Sequence, residues 1–306
     1  MVSSLTDVGL MRRGTLIAGH TTHDRYETRF VAGGCAFYGA RTHHYLTKEF
    51  APHRPTPHLL TLVGEDFQCQ EALQGLDFEL LQLGVTTVFS NLYPSDGPRQ
   101  QLVEALAGPV DPDSLSRPIE TFDLIHLAPV LGEVDLQGWV RKKSSSAFLA
   151  INVQGWIKAP ESQGSDSSPP KRVVQVPWEV TLRELHGVDL ACLSDEDLIG
   201  QGDLLERLRS TVPFVAHTHG EEGATIYTPQ GSFQVGIFKT EAIDPTGAGD
   251  VFAATLAHFL LTSSSPEEAA RYASAASSIV VEGQGPSALG RLKELKDRAG
   301  KIPIYR

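Results

Sequence analysis

Asp244-Pro245-Thr246-Gly247-Ala248-Gly249-Asp250 runs without a break into Val251-Phe252-Ala253-Ala254-Thr255-Leu256-Ala257-His258-Phe259-Leu260-Leu261, an apolar, helix-patterned run free of proline and internal glycine. Two glycines and two aspartates therefore stand at the mouth of a helix. Gly247 and Gly249 can take backbone angles closed to other residues and bring bare N–H groups close to a ligand. The first turn of a helix has unpaired N–H donors and the positive end of the dipole, which suits an anion. A carboxylate at Asp250, inside such a cradle, is badly placed to bind phosphate and well placed to take a proton from an attacking hydroxyl. On spacing alone, Asp244 or Asp250 could equally cap a helix after a glycine turn.

Composition narrows the classes. A chain of 306 residues with 41% hydrophobic and 21% charged residues suits one large globular domain. Its net charge of −11 argues against nucleic acid or an anionic membrane as the main partner. Cys35, Cys69 and Cys192 are far apart and unpaired in pattern, which fits small buried thiols in a reducing cytoplasm and offers no zinc framework. No basic-then-apolar leader opens the chain and no apolar run approaches bilayer length, so a soluble cytoplasmic protein is expected.

Short buried strands are expected at residues 14–19, 58–64, 85–89, 122–128, 147–152, 188–193 and 214–217. Helices are expected at 65–76, 100–107, 136–141, 180–185, 195–208 and 266–281, with a hairpin over 224–238 turning at Pro229-Gln230-Gly231. Residues 91–99 have the look of a turn, and 159–171, dense in Ser, Pro, Gly and charge, read as a mobile insertion. Strands alternating with helices predict a doubly wound α/β domain, whose ligand site lies at the carboxyl ends of the strands.

Read together, these stretches resemble the ribokinase-like (PfkB) family of carbohydrate and nucleoside kinases. The resemblance is carried by the DPTGAGD segment, by Gly33-Gly34 opening a helix of small residues, and by Thr218-His219-Gly220-Glu221-Glu222-Gly223 in the form T-x-G-x-x-G, all in the family's order. It implies a ribokinase-like, mostly parallel sheet flanked by helices, in a single domain over 1–306. It also implies Asp250 as the base, with the Gly247, Ala248 and Gly249 N–H groups around the transferring phosphoryl. Thr218, Gly220, Gly223 and Ser274 would contact the nucleotide, although 218–223 is also readable as a plain strand-end turn. Asp24 would hold substrate hydroxyls, with Gly33 and Gly34 allowing close approach; a solvated loop aspartate is the plainer reading.

Further implications concern ions. ATP and Mg2+ are the implied cofactors, with K+ as a third. The family's outer N-x-x-E motif corresponds to Ser194-Asp195-Glu196-Asp197, where two positions depart, so Asp197 is an outer-shell magnesium candidate or simply part of a helix N-terminus. Gly283-Gln284-Gly285-Pro286-Ser287, with Asp244, resembles a loop that holds a monovalent cation through Gly283 and Ser287, or else borders the adenine pocket.

Two departures bear on the substrate: Tyr38 stands where sugar kinases carry Asn, and the 19–33 segment is short. The latter predicts a small reduced β-flap, from 20–33 and about 86–98, and a monomer rather than a lid-mediated dimer. With His23-Asp24 and Val153-Gln154-Gly155-Trp156, these features are most similar to the inositol-kinase branch. Tyr38, Gln154 and Arg99 are accordingly expected at the substrate, Arg99 being equally readable as a surface ion pair. The implied partners are a small polyol, myo-inositol or a related cyclitol, and a nucleotide. A furanose or nucleoside kinase is the alternative, and a kinase-fold binding protein without catalysis is the alternative of another class. The histidines, 11 in all, include an early cluster (His20, His23, His43, His44, His53 and His58) with no helical metal-ligand spacing, and His126 at a strand end.

Overall fold

The computed structural model describes residues 13–26, 29–92, 100–161, 169–263 and 265–306. The chain opens with β1 (Gly14–Ala18), β2 (Thr22–Tyr26) and β3 (Arg29–Gly33), then α1 (Cys35–Phe50), β4 (His58–Val63), β5 (Asp77–Gln82), β6 (Val88–Leu92) and β7 (Gln100–Ala105). The middle holds β8 (Phe122–Leu127), α2 (Leu136–Lys142), β9 (Phe148–Asn152), β10 (Lys158–Pro160), β11 (Lys171–Gln175), α3 (Leu182–Leu185) and β12 (Leu190–Ser194). The last part runs α4 (Leu204–Thr211), β13 (Phe214–Thr218), β14 (Ala224–Thr228), β15 (Gly231–Val235), α5 (Ala248–Thr262), α6 (Pro266–Val280), α7 (Leu295–Ala299) and β16 (Ile304–Tyr305).

Ten strands form the main sheet in the order β16-β15-β14-β13-β12-β9-β8-β1-β4-β5. From β5 to β13 neighbours pair in parallel, and β14, β15 and β16 continue antiparallel. The central strands are buried on both faces, which is why they read as continuous apolar runs rather than alternating ones. Period-two alternation then divides the core: Ile17 packs with α1, α5 and α6 on one face, while Leu16 and Ala18 pack with Trp139 of α2 and Leu204 and Leu208 of α4 on the other. No described helix is long and apolar enough to cross a membrane.

A second, six-stranded sheet has the order β10-β11-β7-β6-β2-β3. Its strands follow the carboxyl ends of β1, β5 and β9, so it is fed from the edge where a doubly wound sheet carries its site. The 20–33 segment supplies β2 and β3 and the 86–98 segment supplies β6, while β7, β10 and β11 widen the sheet to six strands.

Several elements differ from expectation. Within the expected 100–107 helix, residues 100–105 instead form strand β7, because the segment pairs with both β6 and β11. Pairing decides the matter where a short polar run has weak propensity. Residues 65–76 hold only a short 3-10 turn at Gln70–Leu73. The 195–208 helix breaks into a turn at Glu196–Leu198 and α4, since Gly200 and Gly202 sit at φ +75° and +58°, outside helical space. The 159–171 stretch begins in β10 and ends in β11, which pair with each other; its middle lies outside the described residues.

Candidate active site

Gly247 sits at φ 80° and opens α5, placing Ala248, Gly249 and Asp250 in its first turn. A Cβ on Gly247 would lie 2.5 Å from the Tyr38 ring, whereas one on Gly249 would meet nothing. Glycine is therefore required at 247 by conformation and by packing, and the loop is open at 249. Of the three N–H groups expected around an anion, that of Ala248 donates to Pro245 O at 3.2 Å. Of the three, Gly247 and Gly249 are therefore the better placed to meet an anion.

Asp250 is half-buried and polar-lined. Asn152 Nδ2, at the end of β9, donates to its Oδ1 at 2.9 Å, and the Cys35 thiol at the start of α1 donates to the same carboxylate. Burial pushes the Asp250 carboxyl up to about 6, with Cys35, Asn152 and Lys158 pulling back and Asp197 adding to the rise. Burial likewise keeps the Cys35 thiol far above its ordinary range, so it stays a donor. A carboxylate raised toward neutrality is suited to exchange a proton near pH 7.

Behind Asn152 lies a buried imidazole chain that residue spacing did not reveal. Asn152 Oδ1 meets His126 Nε2 at 2.9 Å, and His126 Nδ1 meets His43 Nε2 at 3.3 Å. With Asp250 ionised, Asn152 must donate to it, so His126 donates from Nε2 and accepts at Nδ1, and His43 donates from Nε2. Burial holds His126 down to about 4, and His43 and His258 are also depressed, so all three are neutral. Among the described residues, His43 Nδ1, His258 Nε2 and Thr255 Oγ1 find no partner.

Facing this centre, the Asp24 carboxylate lies directly over Gly33, where a Cβ would fall 2.2 Å from Oδ2. Thr22 Oγ1 donates to Asp24 Oδ1 at 2.9 Å. Gly34, at φ 92°, is held against His20 O. Tyr38 is buried among the two loops rather than exposed to a cleft, its hydroxyl beside Gly285. Burial raises its phenol, and Asp24, Asp244 and Asp250 all add to that, so Asp24 and Asp250 lie within electrostatic reach of one ring. Gln154 Nε2 donates to Cys35 Sγ at 3.6 Å. Arg99 lies outside the described residues.

The other expected residues fall along the same edge. Asp244 braces two loops, its Oδ1 accepting from Thr246 N and its Oδ2 from Gly285 N, each at 2.9 Å. Gly283 packs against Ser287 Oγ and Ala288. Asp197 is buried and its Oδ2 accepts from Ser194 N and Oγ at 2.8 and 2.9 Å. Thr218 ends β13; Gly220 and Gly223 hold φ +56° and +96°, and a Cβ on Gly223 would strike Val235 O. Ser274 Oγ donates to Gly236 O at 2.7 Å, which ties α6 to the end of β15. Cys35, Asn152 and Lys158 are the centre's unforeseen members. Their one sequence signal is position, each falling within six residues of a strand expected from the sequence or of Gly33-Gly34.

Known proteins resemble this chain in part of its sequence and in its fold. Residues 189–291 match the model of the pfkB family carbohydrate kinases, a third of the chain that contains the T-x-G-x-x-G and GAGD segments. The ATP-dependent ribose-1-phosphate kinase of Halopiger xanaduensis is 39% identical over 71 residues, 23% of this chain and 24% of that protein. The likeness thus spans about a quarter of that relative's length. A pyrophosphate-dependent kinase in the ribokinase family, solved as a sulfate complex, superposes with a TM-score of 0.73 at 20% identity, covering 93% of this chain and 99% of the other. A structure of a pyrophosphate-dependent kinase in that family with a pyrophosphate analog and myo-inositol gives 0.71 at 20% identity and the same coverage. The fold is ribokinase-like.

Proposed function

We propose that this chain is a small-molecule kinase that transfers the terminal phosphoryl of ATP to a hydroxyl of a small polyol, myo-inositol or a related cyclitol being the favoured acceptor. The observation that carries this is the convergence on one strand edge of a half-buried Asp250, the glycine N–H groups of the α5 N-terminus, and Asp24 held over Gly33. In this reading Asp24 orients the acceptor through vicinal hydroxyls. Asp250 takes the proton of the attacking hydroxyl, whose oxygen bonds to the terminal phosphorus as the bond to the leaving ADP oxygen breaks. Gly247 and Gly249 stabilise the charge on the phosphoryl oxygens, and Lys158 adds positive potential at the centre.

Magnesium, entering with the nucleotide, supplies neutralisation of phosphate charge. Asp197 is an oxygen donor of the hardness it prefers, and it would act through water because its Oδ2 already holds Ser194. For a monovalent cation, carbonyl oxygens of the 283–287 loop are the natural donors, with Asp244 as the brace between the loops. Thr218, Gly220, Gly223 and the α6 face near Ser274 would border the donor. The cyclitol preference is supported by the myo-inositol complex among the structural relatives. The ribose-1-phosphate kinase similarity favours a furanose acceptor as the second reading.

The test is product formation from a panel of myo-inositol, ribose, ribose 1-phosphate, fructose and adenosine, each with ATP and with pyrophosphate as donor. Asp250→Asn should lower turnover on the accepted pair at least ~100-fold while donor affinity changes little. Unchanged turnover in that variant would remove Asp250 from the chemistry, and donor binding without turnover on any acceptor would favour a binding protein.

A further inference from the structure

Asp195, His217 and His219 form a second cluster, two strands along the sheet edge from Asn152, and nothing in the proposed reaction uses it. Extended backbone carries residues i and i+2 to one side, so His217 on β13 and His219 just beyond it turn their rings toward each other, centroids 4.2 Å apart. Ser194 of β12 pairs with Thr218, and the Asp195 N–H donates to Thr218 O at 3.1 Å, which sets the Asp195 carboxylate against both rings. Its Oδ1 lies 2.7 Å from His217 Nε2 and 2.9 Å from His219 Nδ1. One ligand atom from each of the three residues falls within 4.8 Å of the others.

Two details distinguish this from a plain hydrogen-bonded triad. His217 Nε2 is buried and, despite its closeness to Asp195, makes no hydrogen bond of acceptable geometry. His219 has its far nitrogen, Nε2, tied to Thr225 Oγ1 at 2.9 Å, the outer contact that orients a ligating imidazole and fixes its other nitrogen toward the ion. The ion-pair partners of Asp195 are these two imidazoles, with no lysine or arginine among the described residues at its carboxylate. The buried Asp197 acts on His217 from nearby and adds negative potential.

We propose that Asp195, His217 and His219 bind one divalent transition-metal ion of the zinc type. Two imidazoles and one carboxylate are the donor set of Zn2+, Co2+ or Ni2+ rather than of magnesium or potassium, which take oxygen cages. Three protein ligands leave a fourth position for water or an anionic oxygen. The ion would cross-link the ends of β12 and β13 at the turn that leads into Gly220. This site stands on its own geometry and does not depend on the kinase reading.

The test uses the full chain, stripped with EDTA and titrated with Zn2+ by calorimetry, and with Co2+ by its visible absorption. The expected result is stoichiometric Zn2+ binding that millimolar Mg2+ does not displace, and an intense four-coordinate Co2+ band. His217→Ala or His219→Ala should weaken binding by more than ~10-fold and abolish the band, and Thr225→Val should weaken it about 10-fold. Asp195 is exposed, so Asp195→Asn probes the site without disturbing the core. Absence of stoichiometric binding in the parent chain, or binding that survives unchanged in Asp195→Asn and in the double His217→Ala/His219→Ala variant, would overturn the assignment and leave a hydrogen-bonded triad.

Discussion

Asn152 donates from Nδ2 to Asp250 Oδ1 at 2.9 Å while its own Oδ1 meets His126 Nε2 at the same distance. The amide is thereby fixed in one orientation, and the carboxylate keeps a neutral donor that favours its charged form against burial. Asn152→Leu should remove that donor and move the Asp250 ionisation upward from about 6. A hydrogen bond to a charged group contributes about 1.5–3 kcal/mol, so the acid limb of the rate profile should shift by about 1–2 pH units. His126→Leu should shift it less, because the amide keeps its donor but loses its lock, and should cost about 1–3 kcal/mol for the bare Asn152 oxygen. An acid limb that stays in place in Asn152→Leu would show that the bond does not act on the base.

Asp250 should also reveal itself without any substrate. Its folded-state value of about 6 lies above the ordinary 3.8, so the fold prefers the neutral form and loses stability as pH rises from 3.8 through 6. Asp250→Asn escapes that loss. The variant should therefore be more stable than the parent above pH 6, by on the order of 2–3 kcal/mol, with the difference closing toward pH 4. Urea unfolding at pH 7 and pH 4 measures both ends. A variant less stable than its parent at pH 7 would contradict the burial of the charge.

Much of the frame was legible from sequence because parallel strands buried on both faces leave an unmistakable record: residues 14–19, 58–64, 122–128 and 147–152 all became central strands. The GAGD turn was equally plain, since Gly247 has a conformation other residues resist. What escaped was set by partners distant in sequence. β7 is polar and short, and only its pairing with β6 and β11 makes it a strand. β5, β10 and β11 carry half-exposed residues that give no clear period. Asn152 and Cys35 became ligands of Asp250 through β9 and α1 arriving at one point, which local pattern does not encode. His217 at the end of β13 and His219 just past it meet Asp195 through the pairing of β12 with β13, which is again a matter of partners distant in sequence.

Gly33 and Gly34 make different demands, and substitution should separate them. A methyl at Gly33 would collide with the Asp24 carboxylate, the movable end of a side chain. A methyl at Gly34 would strike His20 O and crowd the Thr22 side chain at φ 92°, where neither the carbonyl nor the dihedral can yield cheaply. Gly33→Ala should fold with little loss and raise the acceptor KM, because Asp24 is pushed aside, while donor KM stays constant. Gly34→Ala should lose about 1–3 kcal/mol of stability. Thermal melts and KM values for both substrates decide it, and an unchanged acceptor KM in Gly33→Ala would take Asp24 off the acceptor.

Glu282 anchors the loop that Asp244 braces. Arg298 Nη1 donates to its Oε1 at 2.7 Å and Arg298 Nη2 to its Oε2 at 2.9 Å; Arg291 Nη1 and Thr240 Oγ1 add further bonds. Arg298 lies buried, with its guanidinium over the Phe238 ring at 4.9 Å. These bonds, that of Arg298 foremost, hold the Glu282 carboxyl down at about 2, below its ordinary 4.5. A depressed carboxylate contributes stability that is fully present above 4.5 and is lost as pH falls through about 2. Glu282→Gln should thus cost about 2–3 kcal/mol at pH 7, since it leaves a buried guanidinium facing a neutral amide. The deficit relative to the parent should shrink as pH drops below 4.5. Because Val281 O, one residue earlier, accepts from the Ile243 and Asp244 N–H groups, the same variant should loosen the turn leading to Gly247. Hydrogen exchange at Ile243 and Asp244 would rise in Glu282→Gln if the network steadies that turn, and unaltered protection there would confine its effect to the C-terminal helices.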